Sequence, residues 1–491
     1  MAICESPCCL RVEPAFVFAG QSLRVKWTGA DCDTIGEEDL FVSRETLASF
    51  IDIPFTSACR NLICSITAND QELLQLQLKL RGDPVSRLAR ASHLRESRHA
   101  YHALYDYIIG LPFEAMLMQA HADLVRRKAE LVMVTGSVGK TSTKELIAHL
   151  SPTQTTYHST DSWNFPHDSC AQILLNPWAL KYVFEMAVGT HLPTVGALLP
   201  PSVLVFTHLG PVHTAQFDSV SEIGHYKASL ARNLGSDATI ILNADVREIE
   251  ESLNEWLTGG ATPRIIRYSS GLREDCDVVI RRENEDELLL YDRRRASSFR
   301  LRQPRHVSTR PANIAAAYCE RSLADPEYAA LEDDLATFDP PPRRLQLEDA
   351  GPAKLLNDVY NANPISMREL IETLTDRQHS GLTVGAILAE MADLGDCSLD
   401  EHTRLFHEAR GCFSRTIFVG PTYRRVGALT AEGCDYQESA SELAESTLID
   451  ELLEQCDLIG VKGSYCTHME LVVDALKAHG KGMTNGNNTG I

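Results

Sequence analysis

The chain has 491 residues, more than one ordinary hydrophobic core supports, so two or three domains are expected. Its 46 basic and 67 acidic residues give a net charge of −21, which disfavours a general nucleic-acid-binding protein because such proteins present a basic face. No apolar run is long enough to span a bilayer, and the N-terminus "MAICESPCCLRVEP" lacks the pattern of a secretion signal. Scattered cysteines favour reduced thiols in a cytoplasmic protein.

Residues 1–125 form the first predicted domain and carry weak periodic signals. "FVFAGQSLRVKW" alternates as strands do, whereas "DQELLQLQLKLRG" and "AYHALYDYIIGL" suggest helices. Cys4, Cys8 and Cys9 cluster here, but no second Cys/His pair nearby would complete a zinc site.

Residues 126–340 form the second predicted domain, in which short apolar strands alternate with amphipathic helices. "LVMVT" precedes the helical "TSTKELIAHL", and the strands "KYVFEMA", "SVLVFTHLG" and "TIILNADV" follow around the helix "EIGHYKASLARNL". The helix in "TRPANIAAAYCERSL" closes the unit. Short β-rich runs separated by helices are typical of a parallel α/β sheet.

Residues 341–478 form the third predicted domain, following a linker that the proline run in "DPPPRRLQ" indicates. The strands "KLLNDVY", "TVGAILAE", "RTIFVG" and "CDLIGVKG" alternate with helices such as "SMRELIETLTD", which predicts a second α/β sheet. The tail at 479–491, "HGKGMTNGNNTGI", is rich in glycine and asparagine and is predicted to be disordered.

The segment "VMVTGSVGKTSTKE" predicts a phosphate-binding loop between a strand and a helix, where backbone N–H groups can hold phosphate oxygens. Lys140 is expected to neutralise β/γ-phosphate charge, and the Thr141 hydroxyl to ligate Mg²⁺. The loop is shorter than the usual P-loop, because Val134 stands where that motif has its first glycine. The predicted nucleotide-binding residues of the loop are Gly136, Ser137, Gly139, Lys140, Thr141 and Ser142.

Two further candidate residues follow consecutive predicted strands beside the loop. Glu185 lies in "YVFEMAVG" and His213 in "THLGPVH". Open α/β sheets place their ligand crevice at such strand ends, and phosphoryl transfer needs acidic or imidazole metal ligands there. Each residue alone is more often structural. Taken alone, Lys227 in "SEIGHYKASL" is typical of a solvated helix lysine.

Five ordered segments, between about Leu131 and Leu476, carry a resemblance to a known family. They are "TGSVGKTS", "FTHLGPVHTAQFDSVSEIGHYKASL", "LLNDVYNANPISMREL", "AILAEMADLGDCSLDEH" and "GVKGSYCTHMELVVDAL". They resemble the ATP loop, the segment with a metal-binding His and a carbamylated Lys, the "YNANP" signature and two later C-terminal blocks of the Mur ligases. The resemblance is closest to the subfamily that adds D-alanyl-D-alanine to the peptidoglycan nucleotide precursor.

This resemblance implies an α/β fold of three domains: a diverged N-terminal α/β region that binds substrate, a central P-loop parallel-sheet ATPase domain and a C-terminal Rossmann-like domain. It implies ATP and two Mg²⁺ ions as cofactors. Thr141 and Glu185 would bind one ion and His213 the second, while Lys227, carbamylated by CO₂, would supply an anionic oxygen ligand. On the nucleotide, the family pattern assigns Asn313 to the adenine side, Arg344 and Asp358 to nucleotide contacts, and Asn361 to the phosphate end.

The chain also departs from the family pattern. The D-G-H-type block for a uridine nucleotide is missing from residues 50–125, and Asn164 in "STDSWNFPHDS" is the candidate for a T-x-x-N-x-N stretch. Thr309 and Arg310 precede Asn313 where the family has a His-Asn pair. Tyr465 stands where an arginine is expected after "KGS", which removes a bidentate carboxylate partner and predicts a different incoming amine.

We therefore expect an ATP-dependent carboxylate–amine ligase that forms an acyl phosphate, releases ADP and then forms an amide. Its expected partners are a small-molecule carboxylate and an amine, an amino acid or dipeptide, with no nucleic acid and no membrane, and the enzyme is expected to be a monomer. Specialised metabolism is the leading expectation, and the D-alanyl-D-alanine ligase of peptidoglycan synthesis is the alternative. A P-loop ATPase or kinase and a noncatalytic binding scaffold are more remote alternatives.

Overall fold

The computed structural model describes residues 112–486, apart from 160–163, 189–190, 212–215, 218, 258–261, 272, 274, 285–286, 303–309 and 428–433, together with six strands between residues 9 and 79. Among these residues, no helix has the combination of length and apolar character that crossing a membrane requires. Mixed α/β architecture with large parallel sheets confirms the predicted fold class.

The N-terminal strands pair in two antiparallel sheets, one with the order β1-β4 and one with the order β3-β2-β5-β6. The helix predicted for "DQELLQLQLKLRG" is wrong, because the leucines alternate with glutamines at a period of two and the segment forms a strand. The predicted helix "AYHALYDYIIGL", up to residue 111, and Cys4 and Cys8 lie outside the described residues. The strands are β1 Cys9–Val12, β2 Ser22–Gly29, β3 Thr34–Phe41, β4 Ile51–Pro54, β5 Asn61–Ala68 and β6 Gln71–Lys79.

A nine-stranded sheet forms the central unit, with the order β15-β14-β13-β12-β11-β10-β7-β9-β8. The strands from β8 to β13 run parallel, and β14 and β15 add an antiparallel edge. The strands are β7 Glu130–Thr135, β8 Thr156–His158, β9 Lys181–Met186, β10 Val203–Phe206, β11 Thr239–Asn243, β12 Arg264–Ser269, β13 Val278–Arg282, β14 Glu287–Asp292 and β15 Ser297–Arg302.

Helices cover both faces of this sheet, because its parallel strands are apolar on both sides. Met133 of β7 belongs to one buried cluster and Val134 to the other. The first helix crosses the domain boundary expected at residue 125, because Met116 and Leu117 pack in the first of these clusters. The helices are α1 Phe113–Arg127, α2 Lys140–His149, α3 Pro166–Leu175, α4 Leu192–Leu198, α5 Val220–Ala228, α6 Arg247–Trp256, α7 Pro311–Ala324 and α8 Leu331–Ala336.

A six-stranded sheet forms the C-terminal unit, with the order β16-β17-β21-β18-β19-β20 and antiparallel pairing only between β16 and β17. Its strands are β16 Gln346–Ala350, β17 Ala353–Asp358, β18 Val384–Ala389, β19 Arg415–Val419, β20 Asp435–Gln437 and β21 Leu458–Lys462. Its helices are α9 Pro364–His379, α10 Ser398–Ala409, α11 Pro421–Arg425, α12 Ala440–Ala444, α13 Leu448–Gln455 and α14 Glu470–Gly486.

Helix α14 corrects the expectation of a disordered tail from residue 479 onward, because it continues to Gly486. Gly480 lies so close to the β16–β17 turn that a Cβ there would be 2.2 Å from the carbonyl oxygen of Ala350. His479 contacts Asp450 at 2.8 Å, and Met483 packs against the buried core. These contacts hold the helix past its glycine-rich sequence, while residues 487–491 lie outside the described part.

The linker between the two units contains two residues, Arg343 and Leu345, with φ values of 61° and 51°. Left-handed backbone at a residue with a side chain costs about 1–2 kcal/mol. Their conformation turns the chain so that Arg344, between them, lines the cleft described below.

Candidate active site

The phosphate loop is anchored to the segment that follows β10. The backbone N–H groups of Ser137 and Val138 donate to the carbonyl oxygen of His208 at 2.7 and 3.2 Å. The buried Thr207 hydroxyl donates to the carbonyl oxygen of Val138 at 2.7 Å, and the Ser137 hydroxyl donates to that of Gly210 at 3.2 Å. The short loop therefore takes its shape from the neighbouring strand end as well as from its own glycines.

Replacing Gly136 with alanine should distort this loop, because a Cβ at Gly136 would lie 2.0 Å from the Thr207 hydroxyl oxygen. Loss of loop geometry is expected to lower kcat/KM for ATP by about 10²-fold. Steady-state kinetics with ATP would measure the effect. Gly411→Ala is the matched control, because Gly411 also has positive φ but no atom within 4 Å of the added Cβ. An equal effect of both variants would show that backbone strain, and not loop geometry, is responsible.

Lys140, the first residue of α2, lies over the loop. Its ammonium donates to the carbonyl oxygens of Gly136 and Ser137 at 3.0 and 3.3 Å. Burial lowers the pKa of Lys140, the Glu185 charge opposes this shift, and Arg344 adds to it. The lysine thus places a positive charge at the rim of the loop, where a bound phosphate would need it.

Glu185 lies at the carboxyl end of β9 with only 1% of its surface exposed. It accepts hydrogen bonds from the Thr141 hydroxyl at 2.5 Å and from the Asn164 amide at 3.4 Å. Carboxylate and hydroxyl oxygens are the donors that Mg²⁺ prefers, and this ion commonly takes one or two protein carboxylates plus substrate phosphates. The pair fits a magnesium ion. His213, predicted for a second ion, lies outside the described residues.

Lys227 lies in α5 and is also 1% exposed, so it is not the solvated lysine that its sequence alone suggests. Burial lowers the pKa of Lys227 well below its ordinary value, the charge of Lys140 lowers it further, and Glu185 opposes both effects. A lowered pKa increases the neutral amine fraction. The structure therefore buries the Lys227 amine within electrostatic reach of Lys140 and Glu185, the proposed phosphate and metal residues.

Asn313 contacts the loop from α7. It is 5% exposed, and a Cβ at Gly139, where φ is 89°, would lie 2.5 Å from its side-chain oxygen. Gly139 is therefore needed both for its left-handed backbone and for the close approach of Asn313.

The C-terminal unit contributes a network at the end of β17. Buried Lys462 donates to the Asp358 carboxylate at 2.5 Å and to the carbonyl oxygen of Asn361 at 2.9 Å. The other Asp358 oxygen accepts from the backbone N–H of Leu345 at 3.2 Å. The Arg344 guanidinium lies 4.0 Å from the centre of the Tyr360 ring, a cation–π distance. This network joins the linker to the "YNANP" segment.

Residues of the central and C-terminal units line one cleft of about 250 Å³. Of the predicted site residues, Gly136 and Lys227 are not on its wall, and the others among the described residues are. Tyr360 and Lys462 also line the cleft but were not predicted to do so, although Lys462, the charged last residue of the apolar strand "LIGVK", was a usable signal. The lining residues are Ser137, Val138, Gly139, Lys140, Thr141, Ser142, Asn164, Glu185, Ala187, Arg310, Asn313, Pro340, Arg344, Leu345, Asp358, Tyr360, Asn361, Asn363, Ser366 and Lys462.

The fold and this cleft define a nucleotide-binding α/β enzyme whose site is shared by two domains. Residues 134–291 match the Mur ligase middle domain, and residues 343–465 match the Mur ligase, glutamate ligase domain. The chain belongs to the Mur ligase family, as predicted. It is accordingly an ATP-dependent ligase that forms an amide bond and releases ADP.

Known relatives and solved structures agree with this assignment. The UDP-N-acetylmuramoyl-tripeptide–D-alanyl-D-alanine ligase of Mycobacterium tuberculosis is 27% identical over 395 residues, which cover 73% of this chain and 74% of the relative. The Bacillus subtilis enzyme of the same name is 26% identical over 380 residues, covering 74% and 79%. The MurF ligase of Thermotoga maritima, in complex with ADP, has a TM-score of 0.65 at 19% identity and covers 76% of this chain and 84% of that one.

Proposed function

We propose that this enzyme joins D-alanyl-D-alanine to a UDP-N-acetylmuramoyl-tripeptide, the substrates in the names of its relatives. The observation that carries the proposal is the shared cleft, in which a Mur-type phosphate loop faces the "YNANP" network. The relatives favour this reaction over a role in specialised metabolism, the leading expectation from sequence. Tyr465 makes the amine the part of the proposal that most needs a direct test.

Lys227 is proposed to react with CO₂. Its neutral amine would attack the carbon, form an N–C bond and lose a proton to solvent, which leaves an anionic carbamate. The reaction converts a neutral amine into an anion, which the positive charge of Lys140 would stabilise; burial first and Lys140 second lower the pKa of Lys227 and so favour the neutral amine that reacts.

ATP is proposed to bind with its phosphates on the loop and its adenine on the side of Asn313. Lys140 would hold β/γ-phosphate oxygens, and Arg344, Asp358 and Asn361 would complete the site from the C-terminal domain. Thr141, Glu185, carbamylated Lys227 and His213 would hold two Mg²⁺ ions. Bound Mg²⁺ supplies charge neutralisation between the substrate carboxylate and the triphosphate.

The proposed reaction has two chemical steps. The substrate carboxylate attacks the γ-phosphorus, the bond to ADP breaks, and an acyl phosphate forms. A neutral amine then attacks the acyl carbon, phosphate leaves, and the attacking nitrogen loses a proton. Lys140 stabilises charge on the transferring phosphoryl group, and the walls that the two domains give the cleft limit the access of water to the acyl phosphate.

Phosphate release from ATP should require both UDP-N-acetylmuramoyl-tripeptide and D-alanyl-D-alanine, and mass spectrometry should find their amide. The control reactions each omit one substrate or replace D-alanyl-D-alanine with single amino acids. An amide formed only from another pair would reject the proposed substrates and keep the ligase class. Turnover that is indifferent to every amine would indicate an ATPase.

A further inference from the structure

Helix α9 is the part of the C-terminal domain that contacts the central domain beside the cleft. A Cβ at Gly210 would lie 1.6 Å from the terminal carbon of Ile365, so the isoleucine fills the space above that glycine. The carbonyl oxygen of Gly210 accepts from the Ser137 hydroxyl at 3.2 Å. The first turn of α9 therefore rests on the strand-end segment that also shapes the phosphate loop.

Glu369 extends this contact because it lies four residues after Ile365, on the same side of α9. Its carboxylate forms an ion pair with Arg310 of the central domain. The side chains of Glu369 and Arg310 are 27% and 19% exposed, so the pair is partly shielded from water but still within reach of dissolved ions. Arg310 also caps the N-terminus of α7, where its carbonyl oxygen accepts from the backbone N–H of Asn313 at 3.0 Å. The pair thus joins α9 to the helix that carries Asn313.

Glu369 is also close to the charged network of its own domain. Burial raises its pKa, Arg310 and Lys462 oppose that shift, and Asp358 and Glu372 add to it. Movement of Glu369 would therefore change the electrostatic environment of the Asp358–Lys462 ion pair. Lys462 of that pair also donates to the carbonyl oxygen of Asn361 in the "YNANP" segment. Arg310 itself lines the cleft.

We propose that the Arg310–Glu369 ion pair and the Ile365–Gly210 contact form an interdomain latch, and that Glu369 is a positioning residue for the nucleotide cleft. The latch holds the C-terminal half of the cleft against the phosphate loop. Its loss lets the two domains separate about the linker that contains Arg343 and Leu345. The kinetic part of this inference rests on the proposed ATP site, whereas the domain spacing does not.

The test compares the full chain with Glu369→Gln, Arg310→Gln and the double variant. Small-angle X-ray scattering without nucleotide gives the radius of gyration, and kinetics give KM for ATP and kcat. Each single variant should increase the radius of gyration. It should also raise KM for ATP on the order of ten-fold, which is the magnitude of a typical coupling between two sites. The radius of gyration and KM of the double variant should not exceed those of the more strongly affected single variant, because both substitutions break the same interaction. Glu454→Gln, which removes an exposed charge on α13 of the same domain, should change neither quantity.

Several results would overturn the latch. An unchanged radius in Glu369→Gln would show that the pair does not hold the domains. A raised KM in Arg310→Gln alone, or additive effects in the double variant, would show that Arg310 acts on the nucleotide independently. If neither the unmodified enzyme nor any variant turns over ATP, the proposed function is wrong. The radius of gyration would still test whether the latch holds the two domains together.

Two further measurements keep the test interpretable. If Glu369→Gln does not fold, Glu369→Asp retains the charge and withdraws the carboxylate by one carbon, and an intermediate increase in radius is expected. Raising the salt concentration should enlarge the radius of the unmodified enzyme but not that of a folded Glu369→Gln variant. Equal salt responses in both would contradict the latch.

Discussion

Replacing Lys227 with alanine is expected to reduce amide formation on the order of 10²–10³-fold, the magnitude typical of removing one preorganised charged group. The variant lacks the amine that would carry a carbamate, so the proposed anionic ligand is lost. Added short carboxylates such as formate or acetate should restore part of the activity by occupying the vacated space. ATP-dependent amide formation, measured with and without these anions, tests both expectations.

The matched control is Lys354→Ala, which removes a lysine that is 57% exposed and lies at the end of β17 opposite Asp358, off the wall of the cleft, and it should retain full activity. A carbamate should also be visible directly, as a ¹³C carbonyl resonance after incubation with labelled bicarbonate that Lys227→Ala lacks. Activity should fall as pH decreases, because carbamate formation needs the neutral amine that the lowered pKa of Lys227 provides. Full activity of Lys227→Ala would exclude the carbamate.

Glu185→Gln is the second change with a large expected effect, a fall in kcat on the order of 10²–10³-fold. Glutamine has nearly the same shape, so the hydrogen bond with Thr141 can persist while the negative charge is lost. The fall is expected because that charge would hold Mg²⁺ and offset Lys140 and Lys227. Kinetics over a range of Mg²⁺ concentrations should show partial recovery at high concentration.

Glu320→Gln provides a contrasting control, since Glu320 is as buried as Glu185 but forms an ion pair with Lys181 away from the cleft. Breaking a buried pair costs about 3–5 kcal/mol, so this variant should melt at a lower temperature while its KM for ATP stays unchanged. Glu185→Gln should instead lose kcat as described above, with a smaller change in melting temperature than Glu320→Gln. Similar melting and kinetic changes in both would mean that Glu185 is structural.

Local sequence patterns indicated the two α/β units and which segments of them form strands, but not the order of the strands within each sheet. Apolar runs such as "LVMVT" and "LIGV" lie in strands of the structure, because a strand buried on both faces requires a continuous apolar run. The phosphate loop was predictable because its glycines and Lys140 are adjacent in the chain. The segment "ELLQLQLK" was predicted to be a helix, but its period-two alternation of leucine and glutamine favours the strand that the structure has. The sequence therefore contained the correct signal, and the prediction overlooked it.

Contacts between distant residues were decided only by the tertiary structure. Burial of Lys227 depends on packing around α5, and the extended α14 depends on contacts of His479 and Gly480 with other elements. The Arg310–Glu369 pair joins residues of two domains. Sequence by itself indicated a phosphate-binding loop and the ligase family, because the motifs that carry both are local in the chain. Charge, burial and domain contact arise only when separate segments meet, since they depend on what surrounds each side chain.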